Sequence, residues 1–266
     1  MEIDLIALAS SAVIAVAVAF ITIKKKAFTV PAALSACGML VIAAICSGWS
    51  GVVIVLTAYF TIFAVDMIVG KRSEAVTGSI NQRNGARGLV QVIANALAAT
   101  IAAVLSFLLK KPELMIVYAA ALTECLADSL ASDVGVLSKK DPIDICRMKR
   151  VKRGLSGGVS LLGTLSALAG CLVMLLVSWI FFGMSVKLAV AIVAIPMAGI
   201  VIDSVLGSLV QAKYVCEVCG KSTEKTLHCG KKTRHVGGIK LINNDAVNII
   251  SNFLTAILAA VYVLWI

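Results

Sequence analysis

Long apolar runs recur along the whole chain, and they limit the possible folds more than any other feature. Eight runs of 17 to 25 residues are each long enough to cross the hydrocarbon core of a bilayer as a helix. Because 60% of the residues are hydrophobic and only 14% are charged, a water-soluble domain is excluded. The sequence therefore predicts an all-α, polytopic integral membrane bundle that forms a single transmembrane domain over residues 1–266. The predicted spans are Leu5–Ile23, Val30–Cys46, Val52–Val69, Leu89–Leu109, Leu114–Ala131, Val159–Phe182, Val186–Val210 and Ala246–Ile266.

Basic residues are distributed unequally between the two sides of this predicted bundle. Four segments on one side contain 21 of the 24 Lys and Arg residues, and the other side has only Lys110, Lys111 and Lys187. The four segments are residues 24–26, 70–88, 132–158 and 211–245. Since positively charged loops stay inside the cell, we expect the basic side to be cytoplasmic and both termini to lie outside. Because Glu2 and Asp4 precede the first span instead of basic residues, no cleaved signal peptide is expected.

The net charge of +10 bears on the partners of the protein. In a membrane protein, an excess of Lys and Arg sets orientation and attracts anionic lipids or substrates. No folded nucleic-acid-binding module fits between the predicted spans, so nucleic acid is not an expected partner. Membrane lipid and an anionic substrate are the expected partners.

Polar side chains follow one face of several spans, always in the half next to the basic side. Glu124, Asp128 and Ser132 are spaced i, i+4 and i+8, which places them on one face of a helix. Asp66 lies near the end of the third span on the same side. Similar spacing relates the sets Arg87, Gln91 and Asn95, then Asp203, Gly207 and Gln211, then Asn244, Asn248 and Asn252. Each stripe would cover roughly 12 Å inward from the basic surface.

Two interpretations of these stripes are possible. Isolated polar residues often join helices through interhelical hydrogen bonds. Ionisable residues within spans instead indicate an ion or substrate site. The agreement in depth between the stripes favours a half-buried pocket that opens to the cytoplasm. No stripe reaches the outer half of a span, which argues against a transporter.

Two basic segments that contain glycine and serine are candidates for binding phosphate. One segment precedes the fourth span, where helix N-terminal amides and arginines form an anion site, and the other leads into the sixth span. Neither contains a P-loop motif. An ordinary positively charged loop, and close helix packing at the glycines, remain alternatives. The candidate substrate-binding and phosphate-binding residues are Arg83, Gln91, Lys149, Arg153, Ser156, Gly157, Ser160, Asn244 and Asn248.

The intramembrane carboxylates suggest a bound Mg²⁺ ion. Mg²⁺ is held by one or two carboxylates together with phosphate oxygens, and a buried carboxylate requires a compensating cation. Asp128 and Asp203 are the main candidate ligands, and Glu124 and Asp133 are further candidates. Phosphate chemistry with Mg²⁺ is the predicted function class.

A separate cluster lies in a predicted cytoplasmic loop, residues 212–245, between the last two spans. Cys216 and Cys219 form a C-x₂-C pair, and Cys229 follows together with both histidines of the chain. Three cysteines and either of the two histidines fit a structural tetrahedral Zn²⁺ site. We predict that His235 is the fourth ligand. The alternatives to a Zn²⁺ site are a disulfide or redox pair of cysteines, or a loop that binds no metal. A disulfide is less favoured in the cytoplasm.

Several motifs resemble those of the phytyl-phosphate kinase family, whose eukaryotic relatives include transmembrane protein 19. The similarity covers about residues 30–260, with the motifs in the same order. This sequence departs from the family pattern at Asp133, where the family is expected to carry glutamate. The motifs are Gln91-Val-Ile-Ala-Asn95, Ala127–Gly135, Gly154–Thr164, Asp203–Gly207 with Gln211, and Asn243–Asn248.

The resemblance implies a membrane kinase that transfers the terminal phosphate of a nucleoside triphosphate, with CTP expected, to a prenyl monophosphate. The acceptor would be phytyl or geranylgeranyl monophosphate, its tail would lie among the spans, and Mg²⁺ would be required. We assign catalysis to Asp128, Asp203, Arg87 and Asn95. The alternatives are a polyprenol kinase, a membrane nucleotidyltransferase that acts on a lipid, and a carrier for lipid-linked phosphates.

Overall fold

The spans are helices, as predicted, in a computed structural model that describes residues 4–78, 80, 86–183 and 185–265. Within these residues, seven helices are long and apolar enough to cross a membrane, which confirms the predicted fold class. They are α1 (Leu5–Lys24), α2 (Val30–Thr77), α3 (Leu89–Leu109), α4 (Leu114–Gly135), α5 (Leu161–Phe182), a composite helix (Val186–Leu209) and α8 (Asn244–Trp265). The composite helix comprises α6 (Val186–Ala189), a π-helical turn (Val190–Ala194) and α7 (Ile195–Leu209).

Helix α2 contains two of the predicted spans. Gly48 interrupts it with φ 59° and ψ −143°, a left-handed conformation that glycine adopts without a steric penalty. The ring of Phe28, before α2, packs 5.7 Å from the ring of Tyr59 in its second half. A straight helix would separate these rings by roughly 45 Å. The chain therefore turns back at Gly48, and the apolar segments number about eight, as predicted.

Helix α4 lies at the centre of the bundle and packs against α2, α3, α5, α7 and α8. Most of its residues are buried, and small side chains let its neighbours approach closely. At the end of α4, a Cβ on Gly135 would lie 3.1 Å from the Cα of Gly163 in α5. Glu124, in the middle of α4, is therefore enclosed by neighbouring helices.

The long loops meet at one end of the bundle, which we call the basic end. The amide of Arg87 donates to the carbonyl of Ala27 at 2.8 Å, and the amide of Glu224 donates to the carbonyl of Ile80 at 2.8 Å. The amide of Ser156 donates to the carboxylate of Glu224 at 3.0 Å. These bonds join all four basic loops, in agreement with their predicted placement on one side.

Short antiparallel strands occur in two of these loops and were not predicted from the sequence. The strands are β1 (Ile143–Asp144), β2 (Lys149–Arg150), β3 (Gly158–Val159), β4 (Lys213–Val215), β5 (Ser222–Thr223), β6 (Leu227–His228), β7 (Lys231–Lys232) and β8 (Arg234–Gly237). Strands β1 to β3 form a sheet of order β2-β1-β3, and the loop between α7 and α8 contains a sheet of order β5-β4-β8 and a β6-β7 hairpin. Strands of two to four residues are too short for hydrophobic periodicity to reveal.

Candidate functional site

A buried carboxylate in the middle of α4 is bonded to two consecutive residues of α8. Glu124 is 3% exposed, and its Oε1 accepts a hydrogen bond from Ser251 Oγ at 2.9 Å. Its Oε2 accepts from Asn252 Nδ2 at 2.6 Å. Because both carboxylate oxygens accept hydrogen bonds from α8, Glu124 positions α8 in this geometry, and its role as a metal ligand stays a prediction.

A second carboxylate, Asp203 of α7, contacts the same hydroxyl group. Ser251 Oγ lies 3.2 Å from Asp203 Oδ2, so the two acidic groups are separated by one hydroxyl. Helix α7 can approach because Gly199 has no side chain: a Cβ there would lie 2.9 Å from Glu124 Cγ. Two carboxylates at this separation repel each other, and a cation or a shared proton would relieve that repulsion.

A row of asparagines connects this carboxylate pair to α3. Asn244 Nδ2 donates to Asn248 Oδ1 at 3.0 Å, and Asn248 Nδ2 donates to Asn95 Oδ1 at 3.3 Å. The backbone carbonyl of Asn248 lies 3.2 Å from Ser251 Oγ, the hydroxyl that contacts both carboxylates. The structure thus joins Asn95, Asn244 and Asn248 with both carboxylates, as their common depth suggested.

The remaining predicted acidic ligands follow α4 toward the basic end. Asp128 lies one turn beyond Glu124 and is half-buried, while Asp133 lies at the end of α4, 3.7 Å from Arg87 Nη2. Within the described residues, the four carboxylates do not form one compact group of ligands. Asp203 and Asp128 remain chemically suitable for Mg²⁺, which prefers oxygen ligands and needs only one or two carboxylates.

A cavity of about 210 Å³ adjoins α3. Its polar lining, at the basic end, comprises Lys26, Asp66, Arg87, Gln91 and Asn95, and the rest of its wall is mainly apolar or aromatic. The cavity lies between α1, both halves of α2, α3 and α4. Its composition suits an amphiphile with an anionic head and a hydrocarbon tail.

The structure therefore contains two compartments where the sequence suggested one pocket. Arg87, Gln91 and Asn95 line the cavity, whereas Glu124, Asp128 and Asp203 do not. Asn95 belongs to both, because it lines the cavity and accepts a hydrogen bond from Asn248. The sequence could not separate the compartments, since a helical stripe does not reveal which helices it faces.

The loop before α5 uses its predicted phosphate-binding groups for packing. Ser160 caps α5 by accepting from the amide of Gly163 at 3.1 Å, and its hydroxyl donates to the carbonyl of Gly135 at 3.2 Å. Gly157 has φ +84°, and a Cβ there would lie 2.6 Å from the amide nitrogen of Ser208. The geometry favours the packing alternative for Ser160 and Gly157 over phosphate binding.

Ser156 does bind an anion, but the anion is the carboxylate of Glu224 in the same protein. Its hydroxyl donates to Glu224 Oε1 at 2.6 Å, together with its amide at 3.0 Å. Arg153 Nη1 donates to the carbonyl of Ser138 at 3.2 Å, and Lys149 is exposed in β2. None of these hydrogen bonds involves the asparagine row. Arg83, another predicted phosphate ligand, lies outside the described residues.

Several polar residues that were not predicted from the sequence belong to networks in the structure. Ser251 follows Asn248 by three residues, so the i+3 spacing could have revealed it. Asp144 is buried in the loop after α4, where Ser208 Oγ donates to it at 2.6 Å. Burial acts to raise the pKa of Asp144, but this bond and the amides of Arg147 and Cys146 hold the pKa below its usual range.

The cysteine cluster includes a different histidine from the one assigned above. The ligand atoms of Cys216, Cys219, His228 and Cys229 all lie within 4.8 Å of one another. His235 lies opposite Tyr214 in the β4–β8 pair, and its ring packs 5.4 Å from the tyrosine ring. The geometry therefore favours His228 over His235 as the histidine of this cluster. An amide hydrogen bond from Cys219 is the main cause that lowers the pKa of Cys216 to about 6.

The fold and site define a polytopic helical membrane protein with an amphiphilic cavity beside an intramembrane carboxylate network. The chain belongs to the family of integral membrane proteins described as DUF92, which it matches over residues 13–256. This membership agrees with the resemblance inferred from the motifs.

Three curated relatives are similar over part of the chain. Protein PGR of Arabidopsis thaliana is 32% identical over 52% of this chain and 50% of its own length. An uncharacterized membrane protein of Synechocystis is 29% identical over 63% and 66% of the two chains. One from Methanocaldococcus jannaschii is 28% identical over 48% and 53%. The chain thus matches between half and two thirds of the length of these relatives. No solved structure matches the chain.

Proposed function

We propose that this protein is a membrane phosphotransferase that converts a prenyl monophosphate to the diphosphate, with a nucleoside triphosphate as donor. The observation that carries this proposal is the cavity with Arg87, Gln91 and Asn95 at its polar end and an apolar body. Phytyl or geranylgeranyl monophosphate has the same division between one anionic head and a hydrocarbon tail. CTP is the donor expected from the family resemblance.

The acceptor phosphate binds at the polar end of the cavity, near Arg87 and Lys26. A phosphate monoester has a second pKa of about 6, so its oxygen is already a nucleophile at neutral pH and no strong base is required. The main task is to bring two anions together, which cations and fixed hydrogen-bond donors accomplish. Arg87 supplies such a cation, and Asn95 lies at the boundary with the carboxylate network.

Asp203 and Asp128 are the proposed Mg²⁺ ligands. When bound, Mg²⁺ would neutralise the charge of the donor phosphates. Ser251 fixes the position of Asp203 relative to Glu124, and Glu124 holds α8 through two hydrogen bonds. By the positive-inside rule, the basic end and the site face the cytoplasm, and both termini lie outside.

Blocking the cavity tests the proposal. Ala96 lines the cavity on α3, whereas Ala169 is exposed on α5 and serves as a matched control. Ala96→Phe should raise the KM for geranylgeranyl monophosphate by about 10-fold or more, because the ring occupies the volume of the prenyl tail. Ala169→Phe should retain wild-type kinetics.

Both variants are purified in detergent, and product formation is measured over a range of acceptor concentrations. Equal kinetics for the two variants, at equal monodispersity, would show that the acceptor does not occupy this cavity. Transfer to geranylgeraniol instead of the monophosphate would identify an alcohol kinase. Transfer of the α-phosphate of the nucleotide would identify a nucleotidyltransferase.

A further inference from the structure

Four side chains of the types that ligate metals meet in the segment between α7 and α8, away from the proposed active site. The thiols of Cys216, Cys219 and Cys229 and a ring nitrogen of His228 lie within 4.8 Å of one another. Cys216 is buried, and the other two cysteines are exposed. Three thiols and one imidazole are the ligand set of a tetrahedral Zn²⁺ site.

The backbone has the turns that such a site requires. After Cys219, Gly220 adopts φ 69°, and its amide donates to the carbonyl of Cys216 at 2.8 Å. Cys229 and Gly230 also have positive φ, 51° and 74°. Each cysteine turn therefore ends in a glycine that reverses the chain, which directs both pairs of side chains to one point.

In the described part of the chain, this segment has no apolar core cluster of its own. Its strands are two to four residues long. Among the described residues, none of the buried apolar clusters includes a residue from 210–243. Folded units below about 40 residues usually need a metal, disulfides or association with a partner. A disulfide would use two of the three thiols and leave the third thiol and the imidazole without a function.

The loop between the two cysteine turns binds the rest of the basic end. Thr223 Oγ1 donates to the carbonyl of Ile80 at 2.9 Å, and Lys225 Nζ donates to the carbonyl of Gly78 at 2.6 Å. These bonds satisfy carbonyl groups just beyond the end of α2. Glu224, between them, accepts both hydrogen bonds from Ser156, in the loop before α5. Residues 220–227 thus connect two neighbouring loops.

We propose that Cys216, Cys219, His228 and Cys229 bind one structural Zn²⁺ ion, and that this ion holds residues 220–227 as a clamp on the basic end. The metal fixes both ends of the 220–227 loop, so Glu224 and Lys225 are held in place against Ser156 and Gly78. The free energy of metal binding then contributes to the order of loops that lie next to the active site. This proposal is independent of the kinase proposal.

Metal analysis of the full-length protein tests the site. Purified from cells grown with zinc, the wild-type protein should contain one Zn²⁺ per chain. His228→Ala and Cys229→Ser should each reduce the zinc content to below about a tenth of that value. His235→Ala and Cys146→Ser, which replace a histidine and a cysteine outside the cluster, should retain one zinc per chain. The conservative variant His228→Cys should also retain zinc, because a four-cysteine site is equally suitable.

A spectroscopic measurement on the wild-type protein avoids any folding defect of the variants. Co²⁺ that replaces the metal should give the intense visible absorption of a tetrahedral thiolate site. Wild-type protein without zinc and without this Co²⁺ spectrum would overturn the proposal. Loss of zinc in His235→Ala but not in His228→Ala would overturn the assigned ligands.

Hydrogen exchange tests the clamp separately from the metal site. Chelation of the metal should increase amide exchange by about 10-fold or more at Glu224 and Ser156, and leave the centre of α4 unchanged. Glu224→Gln should keep its zinc but increase exchange at Ser156. If chelation leaves exchange at both residues unchanged, the clamp is refuted and only the metal site stands.

Discussion

The close approach of α7 to α4 and α8 at Gly199 can be tested by adding a single methyl group. In Gly199→Ala, the new Cβ would overlap Thr255 Oγ1 and lie 2.9 Å from Glu124 Cγ. Overpacking of a well-packed interior costs about 1–3 kcal/mol. At about 2–4 °C per kcal/mol for a chain of this size, the Tm should fall by about 2–12 °C. The overlap with the new methyl group would also displace α7, which carries Asp203. Activity should therefore fall as well.

Two matched variants make this prediction specific. Gly38 lies inside α2, and a Cβ added there would have no heavy atom of a neighbouring group within 4 Å, so Gly38→Ala should be neutral or stabilise by up to about 1 kcal/mol. Thr255 is fully buried, and its hydroxyl has no hydrogen-bond partner within the described part of the chain. Thr255→Ala should therefore restore part of the stability that Gly199→Ala loses.

Thermal unfolding in detergent, followed by tryptophan fluorescence, measures the wild type, the three single variants and the Gly199→Ala/Thr255→Ala double variant under one condition. A double-mutant cycle then gives the interaction energy between positions 199 and 255, which should be at least about 0.5 kcal/mol. If Gly199→Ala and Gly38→Ala unfold at the same temperature, α7 does not approach α4 and α8 in the manner described.

Three further predictions concern the site and its supporting loops. Asp203→Asn should lower kcat by about 100-fold or more while the protein stays folded, because asparagine can still accept from Ser251; near-normal kcat in steady-state assays would remove Asp203 from the metal site. Arg87→Ala should raise the KM for the anionic acceptor by about 10- to 100-fold, through loss of a charge-assisted hydrogen bond; an unchanged KM would limit Arg87 to its contact with Asp133. Asp144→Asn should lower stability at pH 7 by about 1 kcal/mol, measured by thermal unfolding. Since the folded-state pKa of Asp144 is depressed, the difference in stability between the wild type and this variant should be present above about pH 4 and should disappear as the pH falls further. A constant difference in stability down to about pH 3 would contradict the depressed pKa of Asp144.

Hydropathy was sufficient to predict the helices, because the length of an apolar run decides whether it can span a bilayer. It also placed a boundary between the two halves of α2, where Gly48 turns the chain. Helical spacing correctly grouped Asn244 and Asn248 on one face of α8, and their common depth with Glu124 predicted that these groups would meet.

Other parts of the site depended on tertiary contacts that spacing does not contain. Asn95 faces both the cavity and α8, so one predicted pocket became two compartments. The spacing of the cysteines allowed either histidine to complete the cluster, and only the pairing of β4 with β8 removed His235 from it. The donors of Ser156 did form an anion site, but the anion, Glu224, is distant in sequence.

Transfer of the γ-phosphate is the most direct test of the proposed function. The purified protein is incubated with CTP labelled at the γ-phosphate, Mg²⁺ and geranylgeranyl monophosphate, and the lipid products are separated and counted. We expect label in geranylgeranyl diphosphate, with Asp203→Asn as the inactive control. Label that remains entirely in the nucleotide, across a panel of nucleoside triphosphates and with folded protein, would contradict the proposed function.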